Sequence, residues 1–270
     1  MMPMTLSEVA QAVGCTAEYF LNNHAKITSI STDSRPQPED EDKESCLFVA
    51  LRGEKFDGHQ YVDSALRNKA AYALVDEKGV QEYCSEISPE HLIVCKDTEQ
   101  GFLDLAGYYR NQFQFKMVGV TGSVGKTTTK EMIAQVLSAQ YETLKTQGNF
   151  NNRVGLPKTL FQLDNSIEAA VIEMGMNSFG EISDLTRRAR PDAAVITNIG
   201  VAHIEYLGSR AGILKAKMEI IEGMKEGSPL ILNKDDDMLA DLDCPQMKKI
   251  YYGIERSDCD VHAKGEINYI

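Results

Sequence analysis

At 270 residues the chain is long enough for two domains, each with its own buried core. Charged residues make up 25% and apolar residues 43%, an ordinary balance for a soluble globular protein. The net charge of -12 argues against broad binding to nucleic acid or to an anionic membrane, and leaves open a local basic pocket for a phosphorylated ligand. Met1 to Val13 lacks the apolar core of a signal peptide, and no apolar run is long enough to cross a bilayer, so a cytoplasmic protein without membrane insertion is expected. Six cysteines, at 15, 46, 84, 95, 244 and 259, include no Cys-x-x-Cys pair and read as reduced structural thiols.

Thr5-Leu6-Ser7-Glu8 has the form of a capping box and predicts a helix to about Val13. The apolar runs Leu47 to Leu51, Ala71 to Val75 and Leu92 to Cys95 read as strands. Tyr61 to Asn68 and Glu99 to Phe113 read as helices between and after them. The acidic run Glu39 to Glu44 reads as a solvated loop. This alternation predicts a small α/β domain over residues 1–113. A second α/β unit over 114–270 has expected strands at Met117 to Val120, Ala169 to Met174, Ala193 to Thr197 and Leu230 to Leu232. Helices from Thr127, Glu181 and Ser209 lie between them. The first of these helices is expected to turn Met132, Ile133, Val136 and Leu137 to one side. The order predicts a mainly parallel sheet with ligand loops at the C-terminal ends of its strands.

Thr121-Gly122-Ser123-Val124-Gly125-Lys126-Thr127-Thr128 joins the first of these strands to the first helix. Glycines allow backbone N–H groups to turn inward around an anion, the helix N-terminus adds partial positive charge, and Lys126 adds a full one. Thr127 is placed to ligate Mg²⁺ through its hydroxyl. The strict spacing of such a loop asks for glycine at 120, where this chain has Val. Because strand, lysine, hydroxyl and helix agree, the segment reads as a nucleoside triphosphate site.

Other strand ends offer further groups. Ala169 to Ile172 leads into Glu173, which in a phosphate-loop domain stands where a second Mg²⁺ contact is needed; a solvent-facing strand-end carboxylate is the alternative. The polar loop after Val195-Ile196 holds His203, a candidate metal ligand or an exposed loop histidine. Thr146 to Asn152 is rich in amides and suits a carboxylate, a phosphate or a metal-bound water, or an ordinary turn. Asn233 to Asp237 closes another strand and could meet a base or ribose, or face solvent. Lys215 and Lys217 sit on a helix that turns Ile213, Leu214, Ile220 and Ile221 inward, and nothing in its periodicity singles out Lys217.

Taken together, T-G-S-V-G-K-T-T-T-K-E, G-N-F-N-N-R-V-G-L-P, E-M-G-M-N, T-N-I-G-V-A-H-I-E-Y-L-G-S and A-K-A-K-M-E-I resemble the Mur ligase family. Within it they look like the type that joins D-alanyl-D-alanine to UDP-N-acetylmuramoyl-tripeptide. S-T-D-S-R at 31–35 and A-L-R-G-E-K-F-D-G-H at 50–59 agree. The resemblance implies a UDP-muramoyl-peptide-binding domain at 1–113 and an incomplete ATP-binding central domain at 114–270. It also implies an ATP-dependent ligase of peptidoglycan precursor synthesis, expected as a monomer. In its mechanism the peptide carboxylate takes the γ-phosphoryl group of ATP as an acyl phosphate, which the amine of D-alanyl-D-alanine then attacks.

Residue by residue, the resemblance places Thr121, Gly122, Ser123, Gly125, Lys126, Thr127 and Thr128 on the phosphates and Asn233 near adenine. Thr127 and Glu173 would hold one Mg²⁺. His203 and Lys217, the latter as its carbamate, would hold a second. Asn149 and Asn152 would face the reacting peptide. Ser31, Thr32, Ser34, Arg35, Lys55, Asp57, Gly58 and His59 would receive the UDP-muramoyl end. The family usually has Asn where Val124 stands, which predicts weaker ATP binding or turnover. Family members also carry a C-terminal domain, whereas this sequence stops at Ile270, so weak ligand binding with little turnover is expected. The alternatives are a degenerate, non-enzymatic UDP-sugar or nucleotide binder, or another Mur ligase step. A folylpolyglutamate synthetase-like ligase fits less well, because such enzymes begin directly with their ATPase domain.

Overall fold

The computed structural model describes residues 1–35, 45–53, 55–202 and 204–263, so the acidic run at 39–44 and His203 lie outside the described residues. The chain forms two compact units. One comprises Met1–Asn111 with Phe161–Asp164, the other Gln112–Leu160 with Asn165–Ile270.

The first unit runs β1 (Met4–Thr5), α1 (Leu6–Ala12), α2 (Glu18–Leu21), β2 (Lys26–Ile27), β3 (Ser29–Ser31), β4 (Cys46–Val49), α3 (Val62–Asn68), β5 (Tyr72–Asp76), α4 (Glu77–Tyr83), β6 (Leu92–Cys95) and α5 (Thr98–Arg110). β1 and β2 pair antiparallel, and β3-β4-β5-β6 form a parallel sheet in that order. All four residues of β4 are buried, which is why it reads as an unbroken apolar run and not as an alternating one. Phe48, Ala50, Val62, Ala65, Ala73, Val75 and Leu92 make the core on one face. Elsewhere in the unit α5 buries Phe102, Leu103, Leu105 and Ala106, and Phe161 stacks on Phe102. The capping box at α1 is present: Glu8 N–H donates to Thr5 Oγ1 at 3.2 Å, and Thr5 N–H donates back to Glu8 Oε2 at 2.7 Å. α5 stops at Arg110, short of the expected Phe113.

The second unit runs β7 (Lys116–Thr121), α6 (Lys126–Leu137), β8 (Thr143–Lys145), α7 (Gly155–Leu160), β9 (Ala169–Glu173), α8 (Glu181–Ala189), β10 (Ala193–Ile196), α9 (Ile204–Leu207), α10 (Arg210–Met218), β11 (Pro229–Asn233), β12 (Lys248–Gly253) and β13 (Val261–His262). Its seven strands are all parallel, in the order β13-β12-β11-β10-β7-β9-β8. From β7 the chain passes to the edge strand β8, returns to β9 between them, then crosses to the other side of β7 at β10. The connections therefore diverge between β7 and β10, and a parallel sheet opens its ligand crevice at the strand C-terminal ends there. Two features of α6 differ from the sequence reading. Met132 and Val136 are 66% and 74% exposed. The helix meets the sheet instead through Lys130, Ile133, Ala134 and Leu137, a row about one residue round the helix from the expected one. β8, α7, β12 and β13 are short or lack a clean apolar period and were not expected.

Candidate phosphate and metal site

β7 ends at Thr121, and α6 starts one tight turn later at Lys126. Gly125 stands at the helix N-cap with φ +80°, a left-handed conformation that favours glycine. No side chain caps this helix. Its first-turn N–H groups have no partner within the helix and, with the helix dipole, face outward toward an anion. Lys126 Nζ donates to the carbonyl of Gly122 at 2.9 Å, which folds the ammonium back over the loop. Gly122 is buried, and a side chain there would run into Thr197 Oγ1.

Beside the loop, β9 delivers Glu173, which is 2% exposed. Its Oε2 accepts from Thr127 Oγ1 at 2.9 Å, and its Oε1 accepts from Asn151 Nδ2 at 2.9 Å. Its N–H donates to Thr146 Oγ1 at 3.0 Å. Carboxylate and hydroxyl are thus already in register, with two hard oxygen donors side by side. Lys217, on α10, is 2% exposed. Burial, with the Lys126 ammonium nearby, lowers its pKa from the ordinary lysine value to about 7. Burial also lowers Lys126, and Glu173 opposes that shift.

Several expected ligand groups are occupied by the fold. Thr121 is fully buried, and its hydroxyl donates to the carbonyl of Met174 at 2.9 Å, tying β7 to β9. Ser123 Oγ accepts from Gly200 N–H at 2.9 Å. Asn152 Oδ1 accepts from the N–H groups of Val154 and Gly155 at 3.2 and 2.8 Å, so it caps the start of α7 and its oxygen is not free for a peptide. Asn233 Oδ1 is held by Asp235 N–H at 3.0 Å at the end of β11. Thr128 and Asn149 are exposed. Asn151, not singled out in the sequence, is the amide that reaches Glu173. Its main-chain carbonyl also accepts from Gly175 N–H at 2.8 Å, which fixes the loop against the end of β9.

In the first unit, Ser31, Thr32 and Ser34 are half-buried, and Arg35 and Lys55 are exposed. Arg35 pairs with Asp33 at 2.6 Å. Gly58 and His59, expected to receive the UDP-muramoyl end, are buried. A side chain at Gly58 would strike Leu51. His59 is 1% exposed; its Nδ1 meets Asp57 Oδ1 at 2.6 Å, and its Nε2 accepts from Asp76 N–H at 3.1 Å. Asp57 is committed to His59 and to Arg52.

Among the described residues no cluster of three or more His, Cys, Asp or Glu side chains is placed to hold a metal, and no helix is long and apolar enough to cross a membrane. A divalent ion at this site would rest on Thr127 and Glu173.

The chain matches the Mur ligase middle domain over residues 120–269. It is 42% identical over 241 residues to the UDP-N-acetylmuramoyl-tripeptide–D-alanyl-D-alanine ligase of Bacillus subtilis (strain 168), an alignment covering 88% of this chain and 50% of that protein. It is 41% identical over 211 residues to the ligase of the same name from Escherichia coli (strain K12), covering 78% and 44%. Of solved structures, MurF from Acinetobacter baumannii superposes with a TM-score of 0.84 at 33% identity, covering 97% of this chain and 55% of that one. The MurF ligase from Thermotoga maritima, solved in complex with ADP, has a TM-score of 0.75 at 33% identity, covering 84% and 51%. The chain spans about half the length of the curated relatives it matches.

Proposed function

From the premise that this chain belongs to the Mur ligase family, we propose that it serves the ATP-dependent ligation of D-alanyl-D-alanine to UDP-N-acetylmuramoyl-tripeptide in peptidoglycan precursor synthesis. The observation that carries the reading is the open phosphate cradle: an uncapped helix start at Gly125, Lys126 folded over it, and Thr127 hydrogen-bonded to Glu173. The residues present fit a nucleotide phosphate and its metal, because the loop concentrates positive charge next to paired oxygen donors. The names of the relatives support the substrate assignment.

Bound Mg·ATP would supply the phosphoryl group that activates the peptide carboxylate, and would neutralise charge between the two approaching anions. The protein's part is to bind and orient. Lys126 and the N–H groups at the start of α6 hold phosphate oxygens. Thr127 and Glu173 hold the metal, with Asn151 fixing the carboxylate. Lys217, with its lowered pKa, has the neutral amine needed to add CO₂ and form a carbamate with release of one proton, which gives it the oxygen donors of a second metal ligand. The exposed Asn149 remains free to meet a substrate. In the first unit the exposed Arg35 and Lys55, with Ser31, Thr32 and Ser34, receive the UDP-muramoyl end.

Calorimetric titration tests both halves. Mg·ADP should bind this chain with a requirement for the metal, and UDP-muramoyl-tripeptide should bind more tightly than UDP or the UDP-muramoyl-monopeptide. Equal affinity for all three uridine compounds would overturn the tripeptide assignment. ADP binding that survives Lys126→Ala undiminished would overturn the nucleotide assignment.

A further inference from the structure

Val124 occupies the place where the resemblance expects Asn, and the structure shows what its side chain does: it points out, 67% exposed. The backbone of the same residue is held on both sides by one amide. Asn198 Oδ1 accepts from Val124 N–H at 3.0 Å, and Asn198 Nδ2 donates to the Val124 carbonyl at 3.0 Å. The carboxamide therefore pairs with residue 124 as a neighbouring strand's peptide group would. Thr197 Oγ1 donates to the same carbonyl at 2.6 Å. Ser123 N–H donates to the Asn198 carbonyl at 3.0 Å, and Gly200 N–H donates to Ser123 Oγ at 2.9 Å. Five hydrogen bonds thus join the phosphate loop to the loop that follows β10.

That second loop is itself fixed. Ile199 N–H donates to Asp236 Oδ2 at 2.8 Å, and Arg210 donates from Nη2 to the Ile199 carbonyl at 2.8 Å while pairing with Asp237. The support for residues 123 and 124 therefore continues through 197–200 to 236–237, across the C-terminal ends of three adjacent strands, β7, β10 and β11.

We propose that Asn198 is a positioning residue of the phosphate site: it sets the main-chain path of the loop at residue 124, so that the side chain at 124 has no part in shaping the cradle. This rests on the nucleotide reading above. It replaces the expectation that Val124 weakens nucleotide binding, since the bonds that shape the loop come from its backbone and from Asn198. A loop that must be ordered at each binding event loses affinity for whatever it cradles, and a braced loop does not.

The test measures Mg·ADP and inorganic pyrophosphate affinity by calorimetry on this chain. Asn198→Ala should weaken both ligands by the same factor, about tenfold or more for two lost hydrogen bonds, while the melting temperature moves little. Equal loss on pyrophosphate is the readout that general destabilisation or a contact to the base would not give. Should Asn198→Ala fail to fold, Thr197→Val is near in shape, deletes one bond to the same carbonyl, and should weaken both ligands severalfold. Val124→Asn should leave both affinities within about twofold. Loss confined to ADP, or a gain of tenfold on Val124→Asn, overturns the proposal. Lys126→Ala separates it from the nucleotide reading. If that variant still binds both ligands as the parent does, the nucleotide reading has failed; if it loses them while Asn198→Ala and Thr197→Val do not, the brace alone has failed.

Discussion

Each unit gathers a group of charges, and the two groups are built on opposite plans. In the first, Arg52 donates to both oxygens of Asp76, at 2.8 and 3.1 Å, and also to Asp57, which takes the ring of His59. Asp76 further caps α4 through Gly79 N–H at 2.7 Å. Burial alone would raise these carboxyls, yet the hydrogen bonds they accept hold Asp57 and Asp76 below the usual range. In the second, Lys126 donates to main-chain carbonyls and not to a carboxylate, and Lys217 is buried within its field. Both lysines are pushed down. One cluster closes on itself and fastens loops. In the other, Lys126 is hydrogen-bonded to carbonyls rather than to a carboxylate, which suits the anion proposed to bind there.

The contrast predicts opposite consequences for removing one charge. Asp76→Ala leaves Arg52 and the start of α4 without their partner. It should destabilise the first unit by about 1 to 2 kcal/mol, measured by urea unfolding, while Mg·ADP affinity is unchanged. Lys126→Ala should do the reverse: about 100-fold weaker Mg·ADP binding by calorimetry with no loss of stability. A stability loss in the lysine variant as large as that of the aspartate variant would erase the distinction.

Lys217→Met sharpens it further. The parent amine has its pKa lowered to about 7 by burial and by Lys126, whereas the unfolded chain keeps the ordinary lysine value. Below about pH 7 both states carry the proton, and the folded state bears the full cost of a buried ammonium. As pH rises above 7 the folded amine is neutral while the unfolded one stays charged, so that cost shrinks. Without a carbamate, Lys217→Met should therefore melt a few degrees above the parent at pH 6, with the gap narrowing toward pH 10. A gap that widens with pH would show that the amine is not held neutral. In parent protein under ¹³CO₂, a carbamate resonance lost in Lys217→Met would identify the modified residue.

The phosphate loop and Glu173 were legible in the sequence because each is fixed by contiguous local structure. A strand, a glycine turn and a helix in succession set the position of the loop, and a carboxylate that closes a parallel strand stands at the C-terminal edge of the sheet. Position around α6 was not legible to one residue, since Lys130, whose amine donates to the Thr146 carbonyl at 2.6 Å, counts as polar in the sequence but is 1% exposed. The burial of His59 was not legible for the same reason: a histidine in a polar stretch gives no sign that both ring nitrogens are taken. Thr121 looked like part of the cradle because it adjoins the glycine, yet its hydroxyl serves the join between two strands.

The loop at 146–152 carries the smallest effect and the clearest test of what the sequence could not resolve. Asn149, Asn151 and Asn152 are equivalent by composition, but the fold separates them. Asn149 is exposed, Asn151 reaches Glu173, and Asn152 caps α7. Of the three, Asn151 is the one hydrogen-bonded to Glu173, the carboxylate proposed to hold the metal, and groups that orient a ligand typically contribute tenfold or more in metal affinity. Asn151→Ala should raise the Mg²⁺ concentration needed for half-maximal ADP binding by about tenfold, with saturating affinity little changed. Asn152→Ala should leave that Mg²⁺ requirement alone and instead lower stability by about 1 kcal/mol, the usual cost of a lost helix cap. Exchange of these two phenotypes would mean that the loop meets its metal through Asn152, and that Glu173 is oriented by Thr127 alone.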